Sequence, residues 1–442
     1  MANTEPPKAA KASPTKRFFI SVLIKDIHLL DAVVELVDNS VDSARLAHKN
    51  GGLAATVVRI SCDREFFTIT DNAAGISIEQ AENYAFRFGR PDDAPLTPGA
   101  VGEFGVGMKR ALFKIGRYFE VKSMTFSEQF SLSVDVEEWE KRGDEDPNSW
   151  RFPFTEIGKN DNPGTTGTTI LVKKLHEYAV EEFESSNFIS RLINVLKDSH
   201  QESIAAGLQI TVNNVPVLAR GATLLHSSGL TPLHKEIEID ISGKKVKVKL
   251  FAGVGEAVLN DAGWYIYCNG RQVERAEKTE KTGWSSAIDG DKTPKPHWQF
   301  RRFRGYAFFE SDSPAVLPWN TTKTGLDTEA PAYRRVRSDI RAALREVIGF
   351  LNDLDSESSK PGKLTELVAN SKPAQLPDLV MNEAFTYDAS AVDSTPKTAR
   401  ITYTKDLELY EAVRIHLGVE TKREVGEKTF DYYVQSEGID ER

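Results

Sequence analysis

The chain has 442 residues, of which 40% are hydrophobic, and this length and composition fit about two or three domains with apolar cores. Its 56 Lys and Arg against 65 Asp and Glu give a formal net charge of -9, which excludes a uniformly basic coat for nucleic acid. The two cysteines, Cys62 and Cys268, are far apart and have no Cys or His at ligand spacing, which argues against a disulfide framework and a zinc site. The apolar run over residues 18–24 is too short to span a bilayer, so we expect a cytoplasmic protein without a membrane partner.

The composition changes along the chain and predicts five segments. Residues 1–16 are rich in Pro, Ala and Lys without periodicity, which is typical of a disordered tail. Helical and strand patterns alternate over residues 17–200 and predict an α/β sandwich. Strand patterns followed by one long helix predict a separate α+β domain over residues 201–355. Residues 356–400, rich in Ser, Pro, Ala and Lys, are predicted to be a flexible linker, and helical spacing over residues 401–442 predicts a small helical element.

The first long predicted helix carries a polar stripe. Glu35, Asp38, Asn39 and Asp42 are spaced i, i+3, i+4 and i+7, which places them on one helix face. A solvated acidic face is the ordinary interpretation of such a stripe. However, residues 26–44 contain no Lys or Arg to pair with the carboxylates, and Asn39 offers a neutral oxygen suited to a hard cation such as Mg²⁺. A Glu beside a metal-bound phosphate is placed to orient or deprotonate water.

Two short polar motifs lie at predicted strand ends. Residues 69–76 end a strand with Asp71, which can accept a hydrogen bond from an exocyclic amine, and with Gly75, which lets backbone approach a flat ligand. Residues 164–170 lead into another strand, on which the Thr168 hydroxyl can join Asp71. Each motif alone is an ordinary turn.

A glycine-rich segment, residues 102–111, leads into a predicted helix. Glycines at such a junction expose backbone N–H groups and the positive helix end to an anion, and Lys109 adds a point charge. The segment has neither Walker A spacing nor a strand leading directly into it as in a Rossmann fingerprint. The polar, Pro- and Gly-containing residues 88–99 before it predict a mobile lid.

Taken together, the four motifs in this order resemble the GHKL superfamily of ATPases, which contains gyrase B, the ninety-kilodalton heat-shock chaperone, sensor histidine kinases, MutL and MORC proteins. The resemblance covers about residues 17–200 and is closest in motif style to the MORC, MutL and chaperone branches. It implies the Bergerat ATP-binding fold, ATP and Mg²⁺ as cofactors, and hydrolysis of ATP to ADP and phosphate. It also implies a homodimer that forms when ATP binds.

The resemblance implies a role for each matching residue. Glu35 is the expected general base and Asn39 the expected Mg²⁺ ligand, while Asp71 is expected to bind the adenine amino group with support from Thr168 through water. The other expected nucleotide contacts are Asp42, Gly75, Ile76, Gly102, Gly105, Val106, Gly107, Met108 and Lys109. The chain departs from the family at Ala73, where the second motif has a glycine, and we expect adenine binding to survive this small change.

The second predicted domain resembles the ribosomal S5-like transducer domain of the gyrase, MutL and MORC branches. Residues 264–273 resemble its strand–turn–strand hairpin, and residues 318–324 lie where the loop with a catalytic lysine is expected. The resemblance therefore implies that Lys323 contacts the γ-phosphate, and the alternative is an ordinary surface lysine in a polar loop. Histidine kinases lack this domain, so that branch is not expected.

Basic residues are concentrated in one part of this acidic chain. Residues 295–306 interleave basic and aromatic side chains, a composition suited to phosphates and stacked bases, and the helix that follows carries an arginine stripe. DNA is therefore the first candidate partner, with a solvated helix face as the alternative. The candidate contacts are Arg301, Arg302, Arg304, Arg334, Arg337, Arg341 and Arg345. Residues 401–442 are a candidate site for a protein partner.

The function expected from these features is an ATP-hydrolysing switch that dimerises on Mg-ATP and clamps or remodels a partner. Two alternatives stay open at this point. One is a low-turnover, nucleotide-gated scaffold that recruits another enzyme, for example in a bacterial defence system. The other is a chaperone-like ATPase, although the chain lacks the long charged linker expected there.

Overall fold

The computed structural model describes residues 10, 14–22, 24–47, 52–91, 98–102, 105–143, 146, 148–285, 295–358, 362–388 and 401–439. The described residues fall into two compact units, which lie within Met1–Ala391 and Val392–Arg442. Within the described residues, no helix is both long enough and apolar enough to cross a bilayer.

The helices of the larger unit are α1 (Lys16–Ser21), α2 (Leu29–Ala47), α3 (Ile78–Gln80), α4 (Gly107–Ile115), α5 (Val136–Lys141), α6 (Glu177–Glu184), α7 (Phe188–Ser199), α8 (Gln201–Ala205), α9 (Pro331–Ser356) and α10 (Lys363–Asn370). Its strands are β1 (Val57–Cys62), β2 (Phe67–Asp71), β3 (Gly116–Met124), β4 (Glu128–Asp135), β5 (Phe154–Lys159), β6 (Gly167–Leu175), β7 (Gln209–Val212), β8 (Val215–Val217), β9 (Thr223–His226), β10 (Leu230–Thr231), β11 (Leu233–Ile241), β12 (Lys244–Val254), β13 (Gly263–Cys268), β14 (Arg271–Glu277), β15 (Phe303–Glu310), β16 (Lys372–Gln375) and β17 (Thr386–Tyr387). The smaller unit contains α11 (Leu407–Leu417) and α12 (Lys422–Ser436).

The first sheet has the strand order β5-β4-β3-β6-β2-β1-β7-β8 and packs against α2, α4 and α7. On α2, Val33, Val37 and Val41 recur every four residues and are buried, which fixes the face that meets the sheet. The opposite stripe then carries the polar residues of the first motif. This layering of helices on a mixed sheet has the α/β sandwich character that the sequence predicts.

The predicted boundary between residues 200 and 201 is wrong for two strands. β7 and β8 belong to the first sheet, because β7 pairs in parallel with β1 from Val57↔Gln209 to Ile60↔Val212. The connection between β1 and β7 runs through most of the domain, and no local sequence pattern specifies such a distant pairing. The first sheet therefore ends near Val217.

The second sheet has the order β11-β12-β15-β13-β14 and is covered by α9. β13 and β15 are parallel, and the other pairs are antiparallel. Val336, Ile340 and Leu344 of α9 follow helical spacing and are fully buried. The site loop, described below, connects β15 to α9.

Residues 362–388 correct the prediction of a flexible linker over residues 356–400. β16 pairs with β9, β17 pairs with β10, and α10 buries Leu364 and Val368. These elements are short, so their pattern is weaker than the Ser- and Pro-rich composition around them. Residues 389–400 of the predicted linker lie outside the described residues.

The predicted tail and the C-terminal element contain further described structure. Lys16, predicted as the end of the tail, begins α1 and donates from Nζ to the carbonyl oxygens of Trp139 (2.8 Å) and Arg142 (2.6 Å). In the smaller unit, α11 ends at Gly418, whose φ of 62° suits glycine, and Thr421 caps α12. Both helices lie within residues 401–442, where the helical spacing predicts a small helical element.

Candidate nucleotide-binding site

A cavity of about 270 Å³ lies between α2, the N-terminal end of α4 and the loop between β15 and α9. It brings together most of the residues singled out from the sequence. Those that line it are Glu35, Asn39, Asp42, Gly75, Ile76, Gly102, Gly105, Val106, Gly107, Met108, Lys109 and Lys323. Asp71 and Thr168 are not part of the lining that the structure describes.

The N-terminal end of α4 opens onto this cavity. In the described part of the chain, no side chain caps this helix, whose N-cap is Val106. A Cβ at Gly107 would lie 2.0 Å from Glu35 Oε2, and one at Gly105, where φ is 65°, would lie 2.7 Å from the Arg90 nitrogen. The glycines thus allow uncapped backbone N–H groups and the positive helix end to face an anion. Glu103 and Phe104 of this motif, and residues 92–97 of the predicted lid, lie outside the described residues.

Two ionisable side chains brace the glycine-rich segment. Asp42 accepts hydrogen bonds from the backbone N–H groups of Val101 (2.8 Å) and Gly102 (2.7 Å). Burial raises the pKa of Asp42 above its ordinary value. Lys109 donates from Nζ to the carbonyl oxygens of Ala85 (2.9 Å) and Gly105, and burial lowers its pKa to about 7. Lys109 therefore ties the segment to the helical turn Ala81–Ala85, and its predicted phosphate contact stays a prediction.

Asp71 is held by three donors at the end of β2. The Ser40 hydroxyl donates to Oδ2 (2.8 Å), and the backbone N–H groups of Ala73 (3.0 Å) and Thr168 (3.2 Å) donate to Oδ1. Burial raises the pKa of Asp71, while these three hydrogen bonds oppose that rise. Asp71 is therefore fixed in orientation beside the cavity.

Ser123 connects this carboxylate to the cavity wall. Its hydroxyl is buried, accepts a hydrogen bond from the Ile76 N–H (2.7 Å) and lies 3.0 Å from the Thr168 hydroxyl. Ser123 faces Thr168 across the β3–β6 pair, which is why sequence reasoning missed it: strand register is not visible in the local pattern. Ser123 therefore joins Ile76 of the cavity wall to the Thr168 hydroxyl at the place predicted for adenine.

The departure at Ala73 is accommodated by the backbone. Ala73 is fully buried and does not adopt a positive φ, so an alanine fits there without strain. Gly75 is different, because its φ is 76° and a Cβ would lie 2.1 Å from the Met124 carbonyl oxygen. Of these two positions, Gly75 is the one that requires glycine.

Lys323 reaches the cavity from the second sheet. It is 3% exposed, so the alternative of a surface lysine is wrong. Its φ of 54° is unusual for a residue with a side chain, and the loop holds it there through hydrogen bonds from the backbone N–H groups of Lys323 (2.9 Å) and Thr324 (3.0 Å) to Asn320. Nζ lies 3.4 Å from Glu35 Oε2 and 3.0 Å from Asp38 Oδ2.

Asp38 is the centre of a buried group of charges. It is 1% exposed and is contacted at Oδ1 by Arg271 Nε (3.3 Å) and His200 Nε2 (3.6 Å), and at Oδ2 by Lys323. Burial alone favours the neutral acid, but Lys323 and Arg271 outweigh it and hold the pKa of Asp38 below its ordinary value. Burial lowers the pKa of His200 to about 3, so the imidazole is neutral at pH 7. This part of the acidic stripe is therefore interior and paired, not a solvated face.

Glu35 is paired on both sides. Arg110 Nη2 donates to Oε1 at 2.8 Å, and Lys323 approaches Oε2. Burial opposes a charged Lys323, but Asp38 and Glu35 outweigh it and raise the pKa of Lys323, so its ammonium is charged at neutral pH. Arg110 lies in the glycine-rich motif, but no local sequence pattern connects it with Glu35, 75 residues earlier.

The predicted hairpin also touches this site. β13 and β14 meet at Asn269 and Gly270, and the Asn269 amide donates to the carbonyl oxygen of Ala100 (3.0 Å). Arg45 of α2 donates to the carbonyl oxygens of Gly99 and Asn269 (2.9 Å for the latter). The second sheet is thus bonded to the segment that precedes the glycine-rich loop, as well as to Glu35 through Lys323.

Asn39 fits the predicted role of a magnesium ligand. Its side chain is exposed in the cavity beside Glu35, and an amide oxygen together with phosphate oxygens is a donor set that Mg²⁺ accepts. Among the residues that the structure describes, no group of three or more His, Cys, Asp or Glu side chains is arranged to hold a metal ion.

The predicted DNA-contacting surface is wrong in part. Arg304 is buried and donates to the carbonyl oxygens of Arg301 (3.1 Å), Phe303 (2.9 Å) and Glu256 (3.1 Å), so it supports the fold. Three of the aromatic side chains expected to stack on bases are also buried in the core, namely Phe300, Phe303 and Tyr306, whereas Trp298 is 50% exposed. Side chains on both faces of β15 are buried, so its aromatic residues lie in the interior. Arg334 and Arg345 of α9, by contrast, are exposed.

Comparison with known protein families gives one match. Residues 27–165 match the family described as histidine kinase-, DNA gyrase B-, and HSP90-like ATPase. The matched part contains Glu35, Asn39, Asp71 and the glycine-rich segment, whereas Thr168 and Lys323 lie outside it. No curated protein matches the chain.

Proposed function

Because residues 27–165 match the family of histidine kinase-, DNA gyrase B-, and HSP90-like ATPases, we propose that the chain binds Mg-ATP and hydrolyses it to ADP and phosphate. The observation that carries the proposal is the meeting of Glu35 and Lys323. They are 288 residues apart in sequence, yet their charged atoms lie 3.4 Å apart at the wall of one cavity. A carboxylate and a lysine that converge beside the N-terminal end of α4 supply a proton acceptor and a cation for phosphoryl transfer to water.

The nucleotide is oriented by the two ends of the cavity. The adenine lies against Gly75 and Ile76, with its amino group toward Asp71. The phosphates lie at the N-terminal end of α4, where backbone N–H groups and the helix dipole favour negative charge. Asn39 would hold Mg²⁺, which, when bound, neutralises charge on the phosphates.

Hydrolysis requires a water positioned beside the γ-phosphate. Glu35 orients this water and accepts its proton while the new P–O bond forms, and the bond to the β-phosphate oxygen breaks as ADP leaves. Lys323 leaves its ion pair with Asp38, contacts the γ-phosphate and stabilises the charge that develops there. Because Lys323 belongs to the loop between β15 and α9, its movement reports the phosphate to the second sheet, which we propose acts as a transducer domain.

The finer part of the proposal is dimerisation on ATP binding and clamping of DNA. The DNA part is supported by the exposed Arg334 and Arg345 on α9, the helix that follows the Lys323 loop directly. DNA that contacts these arginines should raise ATP turnover, and binding should weaken steeply with salt. No change of turnover with duplex or single-stranded DNA at low salt would contradict this part alone.

The test of the proposal is steady-state ATP turnover together with direct measurement of ATP binding. Glu35→Gln should bind ATP and lose at least about 100-fold in kcat, since it removes the general base. Lys323→Met should lower kcat and leave ATP binding largely intact. Glu137→Gln, at an exposed ion pair with Arg117 on the same domain, is the matched control and should keep wild-type turnover.

Two results would contradict the proposal. Wild-type turnover in Glu35→Gln would show that another group accepts the proton. ATP binding without turnover in the wild-type chain would instead favour the low-turnover scaffold.

A further inference from the structure

Arg110 is the one buried arginine in direct contact with Glu35 among the described residues. It lies in the first turns of α4, is 5% exposed, and donates from Nη2 to Glu35 Oε1 at 2.8 Å. Glu35 is equally buried, at 5% exposure. The motif resemblance gave Arg110 no role, and the proposed hydrolysis does not use it.

The two oxygens of Glu35 have different surroundings. Oε1 is held by Arg110, whereas Oε2 lies beside Gly107 and 3.4 Å from Lys323. A Cβ at Gly107 would lie 2.0 Å from Oε2, which places this oxygen against the backbone of the expected phosphate site. Oε2 is therefore the oxygen that can meet a water beside the γ-phosphate.

When Lys323 moves away from Glu35, the charge of the Glu35 carboxylate has to be balanced by Arg110. A buried carboxylate without a counter-charge or a hydrogen bond is strongly unfavourable. If Lys323 moves to the γ-phosphate, Arg110 is the cation that still contacts Glu35, and it contacts the oxygen that does not face the water. The guanidinium is planar and always charged, so it fixes the carboxylate in orientation as well as in charge.

We propose that Arg110 is a positioning residue that holds Glu35 by Oε1, so that Oε2 faces the attacking water once Lys323 is withdrawn. This inference rests on the proposed ATP hydrolysis. It differs from a direct phosphate contact, which the position of Arg110 in the cavity lining also allows geometrically.

The test is a double-mutant cycle on the full chain. Arg110→Met in the wild-type background should lower kcat about 30- to 100-fold and change the dissociation constant for ATP by less than about 3-fold. In a Glu35→Gln background, which retains residual turnover, Arg110→Met should produce no further loss, because Arg110 acts through the Glu35 carboxylate. Arg117→Met, at the exposed pair with Glu137, is the matched control and should leave kcat unchanged.

Arg110→Lys provides the conservative rescue. It keeps a buried cation near Oε1 and should retain more turnover than Arg110→Met, although it loses the planar guanidinium. If Arg110→Met does not fold, the same comparison of two backgrounds is made with Arg110→Lys, and it should again lower kcat only where Glu35 is present.

Four results would overturn the inference. Equal losses in both backgrounds would indicate a purely structural role. A large rise in the ATP dissociation constant would indicate that Arg110 contacts the phosphates directly. Unchanged turnover in Arg110→Met, while Glu35→Gln loses most of its turnover, would reject the inference and leave the proposed function standing; inactivity of the wild type would reject both.

Discussion

Replacement of Asp38 by asparagine is the most informative perturbation of the buried charges around the site. Asp38→Asn keeps the size of the side chain and removes its charge. Lys323 and Arg271 then remain buried, at 3% and 4% exposure, with one fewer carboxylate to balance them. The variant therefore measures how much the pairing of the Asp38 carboxylate with both cations contributes to the free energy of unfolding.

The expected change in the free energy of unfolding follows from the distances between Asp38 and the two cations. At 3.0 Å for Lys323 and 3.3 Å for Arg271, each attraction is about 5 kcal/mol with an effective dielectric constant near 20. Removal of Asp38 also removes the unfavourable desolvation of its own carboxylate, which offsets part of this sum. Loss of one member of a buried ionic group destabilises proteins by about 3–5 kcal/mol, and we expect Asp38→Asn to fall in that range.

The assay is urea unfolding at pH 7 followed by tryptophan fluorescence. Glu137→Gln, at a pair with both side chains more than half exposed, is the control and should change the free energy of unfolding by less than about 1 kcal/mol. In the double variant Asp38→Asn/Lys323→Met, the free energy of unfolding should fall by about 2 kcal/mol less than the sum of the decreases in the two single variants.

The pH dependence has a definite sign. The pKa of Asp38 is lower in the folded chain than in the unfolded chain, so its contribution is present above the unfolded pKa and is lost as pH falls through the folded pKa. The difference in the free energy of unfolding between wild type and Asp38→Asn should therefore have its full size at pH 7 and become smaller below about pH 4. A loss at pH 7 smaller than about 1 kcal/mol, or strict additivity in the double variant, would refute the reasoning.

Two further predictions concern the walls of the cavity. Burial lowers the pKa of Lys109 to about 7 in the folded chain, against an ordinary 10.5, so the cost of burying its charge is full below pH 7. Between pH 7 and 9 the unfolded chain binds more protons than the folded chain. The free energy of unfolding of the wild type relative to Lys109→Met should therefore rise by up to about 1.4 kcal/mol per pH unit in urea titrations. A flat difference over that range would contradict a neutral Lys109. Gly75→Ala should weaken ATP binding at least about 10-fold by calorimetry, because its φ is 76° and the new Cβ meets the Met124 carbonyl. Gly349→Ala, where a Cβ meets nothing within 4 Å, is the control, and equal affinity in both variants would contradict the argument.

The local features of the site could be predicted from the sequence, because each depends on a short motif. Helical spacing put Glu35 and Asn39 on one face, and the glycine-rich segment leads into α4 as expected. Placement of Lys323 depended on the resemblance to a family with a second domain, since a lysine in a polar loop has no signal of its own. The structure adds that Lys323 is buried against Asp38, which no local pattern indicates.

The features that sequence reasoning missed depend on pairing between distant segments. Ser123 reaches Thr168 only through the register of β3 and β6, and Arg110 reaches Glu35 only through the packing of α4 on α2. Lys109 is predicted to contact phosphate because a basic residue after a glycine-rich segment is typical of anion sites, and that contact stays a prediction. Its hydrogen bond to the Ala85 carbonyl oxygen was missed, because the turn Ala81–Ala85 is positioned by tertiary packing.

The most direct test of the central claim is a structure of the chain with a non-hydrolysable ATP analogue and Mg²⁺. We expect the adenine beside Gly75 and Asp71 and the phosphates at the N-terminal end of α4. Lys323 Nζ should lie within about 3 Å of a γ-phosphate oxygen and no longer contact Asp38. Nucleotide bound elsewhere, or Lys323 still paired with Asp38 while the γ-phosphate occupies the cavity, would contradict the account.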